Sequence, residues 1–94
     1  KLRSELSAAE KREKAIAIKA GLEGLKGQVP GLLDIRVQID GVLETSNADL
    51  MLDSTLDSFE SLKEYAVHPA HVAVANGVVK PNTEIRTCLD FQID

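Results

Sequence analysis

The sequence has few aromatic residues and almost no cysteine. Phenylalanine, tyrosine and tryptophan make up 3% of the 94 residues, and tryptophan is absent, so the core has to be built from Leu, Ile, Val and Ala. One cysteine, Cys88, excludes an internal disulfide and favours a reducing compartment. No apolar run approaches the roughly 20 residues of a membrane span, and no signal-peptide pattern stands at Lys1. We therefore expect a cytoplasmic protein without membrane contact.

Basic charge is also scarce. The net charge is −4 at pH 7, whereas binding to nucleic acid needs a clustered basic surface. Apolar residues at 44% and charged residues at 28% are ordinary for a globular protein, and the length suits one domain over residues 1–94. A domain of this size buries only roughly 60–65% of its unfolded surface, so burial against a partner would add stability.

The first third of the chain predicts a helix. Ser7 followed by Glu10 is a capping box, in which the hydroxyl and the carboxylate each satisfy a free backbone N–H group. Apolar residues then recur at spacings of three and four, which predicts one buried stripe: Ala15, Ile18, Leu22, Leu25 and Val29. Gly27, Pro30 and Gly31 predict the end of the helix and a turn.

Three segments alternate between apolar and polar residues, which is typical of half-buried strands. The inward residues are predicted to be Leu33, Ile35, Val37 and Ile39 in the first segment, Leu50, Leu52, Ser54 and Leu56 in the second, and Ile85, Thr87, Leu89, Phe91 and Ile93 in the last. The intervening residues form an opposite, polar face of the predicted sheet.

Two helices are predicted between the second and the last strand. Ser58 is a suitable N-cap for a helix with Phe59, Leu62 and Ala66 turned inward. Pro69 keeps His68 out of the helical region and suits the first turn of a third, short helix. Residues 76–77 (Asn-Gly) predict its end, and residues 80–82 a loop.

The predicted order is α-β-β-α-α-β. With one strand in front it becomes β-α-β-β-α-β, the ferredoxin-like α+β fold with an antiparallel sheet and helices on one face.

Several segments resemble the stress-responsive dimeric α/β-barrel (Dabb) family. They are GQVPGLLD at residues 27–34, STLDSFESL at 54–62, YAVHPAHV at 65–72 and the last predicted strand at 86–94. The resemblance implies a ferredoxin-like monomer that pairs sheet to sheet with a second copy to form a barrel. It also implies a largely uncharacterised group of small proteins, some of them linked to stress responses.

The family begins with a strand inside the sheet, and this chain starts at Lys1, where that strand should be ending. Its loss would leave neighbouring strands unpaired, at about 1–3 kcal/mol for each buried backbone group without a partner. We therefore expect the natural protein to contain this strand, or another segment to replace it.

The resemblance also implies a candidate site. A few relatives are cofactor-free enzymes that act on polyketide-like or other carbonyl compounds. In one such cyclase a tyrosine and a histidine act as an acid–base pair, and an aspartate orients the histidine. The matching positions are Tyr65, His71 and Asp90. The alternative is that His71 makes a structural hydrogen bond and caps the helix at Pro69. Asp90 also falls on the polar face of its strand, opposite the face that the helices should cover.

No cofactor or metal is expected. His68 and His71 stand three residues apart with no further histidine and no cysteine close in sequence, which is a weak set of ligands for a transition metal. The surroundings of Cys88 contain no pattern that would lower its pKa, so we expect an inert thiol.

The polar sheet face is the candidate partner surface. Its members are Arg36, Gln38, Met51, Asp53, Thr55, Arg86, Cys88, Asp90 and Gln92. Water could cover such a face, but the resemblance favours a homodimer in which Arg36, Gln38, Asp53, Arg86 and Asp90 meet a second copy across a two-fold axis. The face lacks the exposed aromatics and the basic charge of an RNA-recognition sheet, which excludes that function.

Two functions stay open from the sequence. The first is a stress-responsive-type homodimeric barrel protein of unassigned biochemical role that binds a small molecule between helices and sheet. The alternative is a cofactor-free lyase, cyclase or oxygenase that uses Tyr65 and His71 on a carbonyl substrate. A closed pocket of roughly 300 Å³ or more that touches both side chains would favour the enzyme, and filled packing would favour the first function.

Overall fold

A computed structural model describes residues 1–93. The elements in chain order are α1 (Ala8–Glu23), β1 (Leu32–Gln38), β2 (Met51–Leu56), α2 (Phe59–Val67) and α3 (Pro69–Val74). A π-helical turn at Ala75–Val79 and a 3₁₀ turn at Lys80–Asn82 follow. β1 and β2 pair as an antiparallel two-stranded sheet. Asp94, the end of the segment that resembles the family's final strand, lies outside the described residues.

The predicted capping box begins α1. The Ser7 hydroxyl accepts a hydrogen bond from the Glu10 backbone N–H at 3.1 Å, and the Glu10 carboxylate accepts one from the Ser7 N–H at 2.9 Å. All five residues of the predicted apolar stripe are buried. The helix itself ends at Glu23, so Leu25 and Val29 reach the core from the following turns rather than from the helix.

A β-bulge changes which residues of β1 face the core. The pairing register shifts between Leu32 and Asp34, because the bulge places an extra residue on this strand. Leu32, Ile35 and Val37 are therefore buried, while Leu33 is 57% exposed. The prediction that Leu33 faces inward is wrong, and the prediction for Ile35 and Val37 is confirmed.

The turn before β1 requires glycine at residue 31. Gly31 has φ of +82°, in the left-handed region that glycine adopts without steric cost. A Cβ at this position would collide with the Ser61 side chain. The Gly31 carbonyl also accepts a hydrogen bond from the Asp57 N–H at 2.9 Å. The turn is thus packed directly against the start of α2.

The core lies between α1, α2 and one face of the sheet. Its most buried large side chains are Leu2, Ile18, Leu25 and Val37, and Tyr65 is its one aromatic member among the described residues. The charged residues Arg36 and Asp53 stand on the opposite face of the sheet and are exposed, which confirms the prediction that helices cover one face only. No helix within residues 1–93 is long and apolar enough to cross a membrane.

The helical second half differs from the prediction in two respects. Ser58 caps α2 as expected, with its hydroxyl accepting from the Ser61 N–H at 3.1 Å. Phe59, however, is 69% exposed and Ala66 is also exposed, so α2 turns Tyr65 inward instead. Residues 76–77 do not end the helical segment, because the chain tightens from a π-helical turn into a 3₁₀ turn over 75–82.

The predicted last strand is wrong for the described residues. The backbone pairs only at its start, where Leu2 and Thr83 form an antiparallel bridge and the Glu84 N–H donates to the Lys1 carbonyl at 2.9 Å. A strand needs a neighbouring strand for its N–H and C=O groups, and within residues 1–93 no chain lies opposite residues 86–93. The alternating side chains are accordingly exposed, and Leu89 is 83% exposed. Arg86 and Asp90 therefore do not share a sheet face with Arg36.

Candidate functional site

The junction between α2 and α3 brings Tyr65 and His71 together. Because His68 precedes a proline, its backbone is extended, with φ of −63° and ψ of 133°. Its Nδ1 accepts a hydrogen bond from the Ala70 N–H at 3.1 Å and caps α3. The helix thereby turns back on α2, and the ring of His71 lies against that of Tyr65 with centroids 4.3 Å apart and planes 35° apart.

The sequence offered His71 as the residue that caps the helix at Pro69, but the structure has a different histidine in that role. His68 caps α3, whereas Nδ1 of His71 lies 3.3 Å from the Ala66 carbonyl oxygen. A carbonyl can only accept, so this hydrogen bond requires the proton on Nδ1. In that tautomer Nε2 of His71 carries a lone pair, which is the form that a general base needs.

The Tyr65 hydroxyl is buried and unpaired. The residue is 6% exposed, and its hydroxyl oxygen has no hydrogen-bond partner among the described residues. Burial raises the pKa of Tyr65 above its ordinary value of 10.0, because desolvation penalises the phenolate. At neutral pH this group is therefore a neutral hydrogen-bond donor without an acceptor, which is rare for a buried polar group.

Tyr65 is the one tyrosine and the chain has no tryptophan, so its ionisation can be followed without interference. We expect the absorbance of tyrosinate near 295 nm to rise at a higher pH in the native protein than in protein unfolded with urea. A folded pKa that is raised gives stability that is complete below the unfolded pKa, near 10, and is lost as the pH rises through the folded pKa. Unfolding should therefore become easier above about pH 10. Identical titration curves in the two states would contradict the burial of this hydroxyl.

Asp90 is not brought to His71. It lies on the exposed C-terminal segment, where its Oδ1 accepts a hydrogen bond from the Cys88 Sγ at 3.3 Å. That hydrogen bond and the negative charge of Asp90 raise the pKa of the Cys88 thiol. The predicted role of Asp90 in orienting the histidine thus has no geometric support in this chain. Within residues 1–93, no group of three His, Cys, Asp or Glu side chains could hold a metal ion.

Two concave regions stand out on the described surface, and neither includes Tyr65 or His71. One is an open groove along residues 84–88. The other is a cleft of about 180 Å³ beside the edge of β1, whose lining includes Lys19, Glu23 and Met51. The space beside Tyr65 is occupied by the ring of His71 itself.

The polar sheet face carries charges of both signs in contact. Directly opposed residues of an antiparallel pair share one face, so the register of Arg36 with Asp53 and of Gln38 with Met51 places these four together. An Arg36 guanidinium nitrogen lies 3.5 Å from Asp53 Oδ2. The Arg36 and Asp53 side chains are 72% and 55% exposed, and Met51 is 60% exposed.

One feature was missed by reasoning from the sequence. Lys19 and Glu23 lie off the apolar stripe, on the part of a helix where charged side chains usually face solvent, yet both bond the backbone of Val37. The Lys19 Nζ donates to the Val37 carbonyl at 2.8 Å, and Glu23 Oε2 accepts from the Val37 N–H at 2.9 Å. Their spacing of four residues predicts the ion pair between them, but no local pattern indicates a contact with a strand edge.

Comparison with known proteins gives one family and several structural relatives. The family model described as "Stress responsive A/B Barrel Domain" matches residues 1–93. A crystal structure from Bacteroides fragilis, of a dimeric protein of unknown function with a ferredoxin-like fold, superposes with a TM-score of 0.89 at 27% identity. The superposition covers 99% of this chain and 88% of that one.

A second crystal structure is of a dimeric ferredoxin-like protein of unknown function from Jannaschia sp. CCS1. It superposes with a TM-score of 0.66 at 24% identity, and the superposition covers 88% of this chain and 80% of that one. At this identity the likeness concerns the fold alone. No curated protein sequence matches the chain.

Proposed function

Because the chain belongs to the stress-responsive A/B barrel domain family, we propose that it acts as a homodimer whose two copies meet through the polar sheet face. The observation that carries this proposal is the exposed contact of Arg36 and Asp53 on the uncovered side of the sheet. A two-fold axis brings such a face against itself, so that each arginine can meet an aspartate of the other copy. Both similar crystal structures are of proteins described as dimeric.

The proposed interface comprises Arg36, Gln38 and Asp53 on the sheet and Arg86 and Asp90 on the C-terminal segment. The last two are included because that segment is exposed and alternates like a strand. An NMR dilution series tests the interface. Backbone shifts at Arg36, Gln38 and Asp53 should change with concentration, while those on the outer surface of α1 should not. Changes confined to the helices would contradict the proposal.

The biochemical role that we propose for this dimer is that of a stress-responsive-type barrel protein that binds a small molecule between helices and sheet. The buried Tyr65 hydroxyl supports it, because a donor that finds no acceptor within residues 1–93 can bond a ligand. A ligand that reaches this hydroxyl would meet the ring of His71, which lies against that of Tyr65.

A second candidate function, supported by the pairing of Tyr65 with His71, is cofactor-free chemistry on a carbonyl compound by a lyase, cyclase or oxygenase. The Tyr65 hydroxyl would donate a hydrogen bond to the carbonyl oxygen. Nε2 of His71 would take a proton from the neighbouring carbon, and the electron pair of that C–H bond would move onto the oxygen as an enolate. Returning the proton from the imidazolium closes the cycle.

The variant Tyr65→Phe tests whether the Tyr65 hydroxyl serves function or stabilises the fold. Removing a buried group without a partner should raise the free energy of unfolding by about 1 kcal/mol, because an unpaired buried hydroxyl costs about 1–3 kcal/mol. If the hydroxyl serves the second function, the same variant should lose most of the deuterium exchange that the wild type catalyses beside the carbonyl of ethyl acetoacetate.

His71→Ala is the companion variant in that assay, and the buffer alone gives the background rate. A wild type that exchanges no faster than buffer would contradict the enzymatic function. A Tyr65→Phe variant that unfolds more easily than the wild type would show that the hydroxyl has a structural partner.

A further inference from the structure

The outer edge of β1 is bonded by two charged side chains of α1. Both backbone groups of Val37 are engaged, the N–H by Glu23 and the carbonyl by Lys19. The two side chains also bond each other, with Lys19 Nζ 2.7 Å from Glu23 Oε2. The resulting clasp, defined as Lys19, Glu23 and the backbone of Val37, replaces the hydrogen bonds that a neighbouring strand would make.

The geometry of the sheet shows that these groups belong to the free side of the strand. In an antiparallel pair the residues alternate between those bonded to the partner strand and those whose N–H and C=O point away from it. Val37 stands opposite Leu52, and its backbone groups reach the helix, so they point away from β2. By the same alternation the backbone groups of Ile35 also point outward, beyond the reach of the clasp.

We propose that the clasp closes one end of the β1 edge to strand addition by a second copy of this chain. An exposed strand edge is a template for pairing with another copy, and proteins block such edges with charged side chains. Here the block is specific to Val37, so an incoming strand that reaches Ile35 cannot extend past it. The clasp thereby confines strand pairing along this edge to the part of β1 that precedes Val37.

The ion pair within the clasp contributes little to folding by itself. The Lys19 and Glu23 side chains are 40% and 33% exposed, and ion pairs in such positions contribute little to folding. What the pair does beyond an ordinary i,i+4 contact is to occupy a donor and an acceptor that lie side by side on the edge. The hydrogen bonds from Lys19 and Val37 lower the pKa of Glu23, because they favour its charged form.

The test replaces both clasp residues with methionine, as Lys19→Met plus Glu23→Met, which keeps their length and removes their hydrogen bonds. The matched control is Glu60→Met plus Lys63→Met, because this surface pair lies 3.4 Å apart on α2 and bonds no strand edge. In dilute protein, hydrogen exchange at the Val37 amide should be at least tenfold faster in the clasp variant than in the control. In concentrated protein, sedimentation velocity should show assemblies larger than those of the control.

The proposal requires both the faster exchange at the Val37 amide and the larger assemblies. Slow hydrogen exchange at the Ile18 amide in both variants is the control that shows α1 to be folded. Equal Val37 exchange in the two variants would overturn the proposal, and so would faster exchange without larger assemblies. Larger assemblies in the control as well would assign the effect to exposed methionine rather than to the edge, and would overturn it too.

Discussion

Replacing Gly31 with alanine is expected to destabilise the chain by about 2–5 kcal/mol. The left-handed backbone at φ of +82° costs a residue with a side chain about 1–2 kcal/mol. The new methyl group also collides with Ser61 at the start of α2, and overpacking of this kind costs about 1–3 kcal/mol. Urea denaturation monitored by circular dichroism at 222 nm measures the effect.

Gly27→Ala is the matched control for this substitution. Gly27 has a similar φ of +87°, but a Cβ there would meet nothing within 4 Å. Gly27→Ala should therefore lower the free energy of unfolding only by the cost of the left-handed backbone, about 1–2 kcal/mol. Equal losses in the two variants would contradict the close packing of the turn against α2.

The second large effect is expected at the polar sheet face. Met51→Lys should weaken dimerisation at least 100-fold, which corresponds to about 2.7 kcal/mol. Met51 is exposed in the single chain, so lysine adds little strain there. In the proposed dimer each copy would bury one additional charge, because the two carboxylates of the same cleft, Asp53 and Glu23, are already paired with Arg36 and Lys19. Sedimentation velocity over a dilution series gives the dissociation constants.

Val67→Lys controls for the added charge. Val67 is 75% exposed on α2, on the helical layer and away from the proposed interface. The dimer dissociation constant of Val67→Lys should equal that of the wild type. If both lysine variants weaken association alike, the effect comes from net charge and not from the polar sheet face.

Local rules were sufficient for the parts of the fold that depend on neighbours in sequence. The capping box at Ser7, the cap at Ser58 and the extended backbone of His68 before Pro69 are each set by residues within four positions. The apolar stripe was also correct in burial as far as Val29, because spacing determines which side chains share a face even where the helix gives way to turns.

Errors arose where distant contacts outweigh local preference. Alternation predicted Leu33 to face inward, but the bulge beside it shifts the register by one residue and exposes its side chain. Residues 76–77 predicted the end of a helix, yet the segment from 75 to 82 remains helical while Val78 and Val79 pack against the core. The alternation over 85–93 is strand-like, but pairing stops near Lys1 and leaves that segment without a ladder in the described chain.

The candidate site also combines local features with features that depend on distant contacts. The pairing of Tyr65 with His71 was implied by the family resemblance, and the two residues lie on one short helix–proline–helix segment. The pairing of His71 with Asp90 depended on a strand that does not form within the described residues. The clasp at Val37 could not be predicted, because its partners are 14 and 18 positions apart in sequence and meet only after α1 packs on the sheet.

Sedimentation equilibrium of the wild-type chain tests the proposed dimer most directly. Loading concentrations from the micromolar to the millimolar range should fit one monomer–dimer equilibrium, with the apparent mass approaching twice that of the chain. The mass should fall back toward that of one chain in Met51→Lys. A wild-type mass of one chain across the whole range would contradict the account and would leave the face around Arg36 and Asp53 to water.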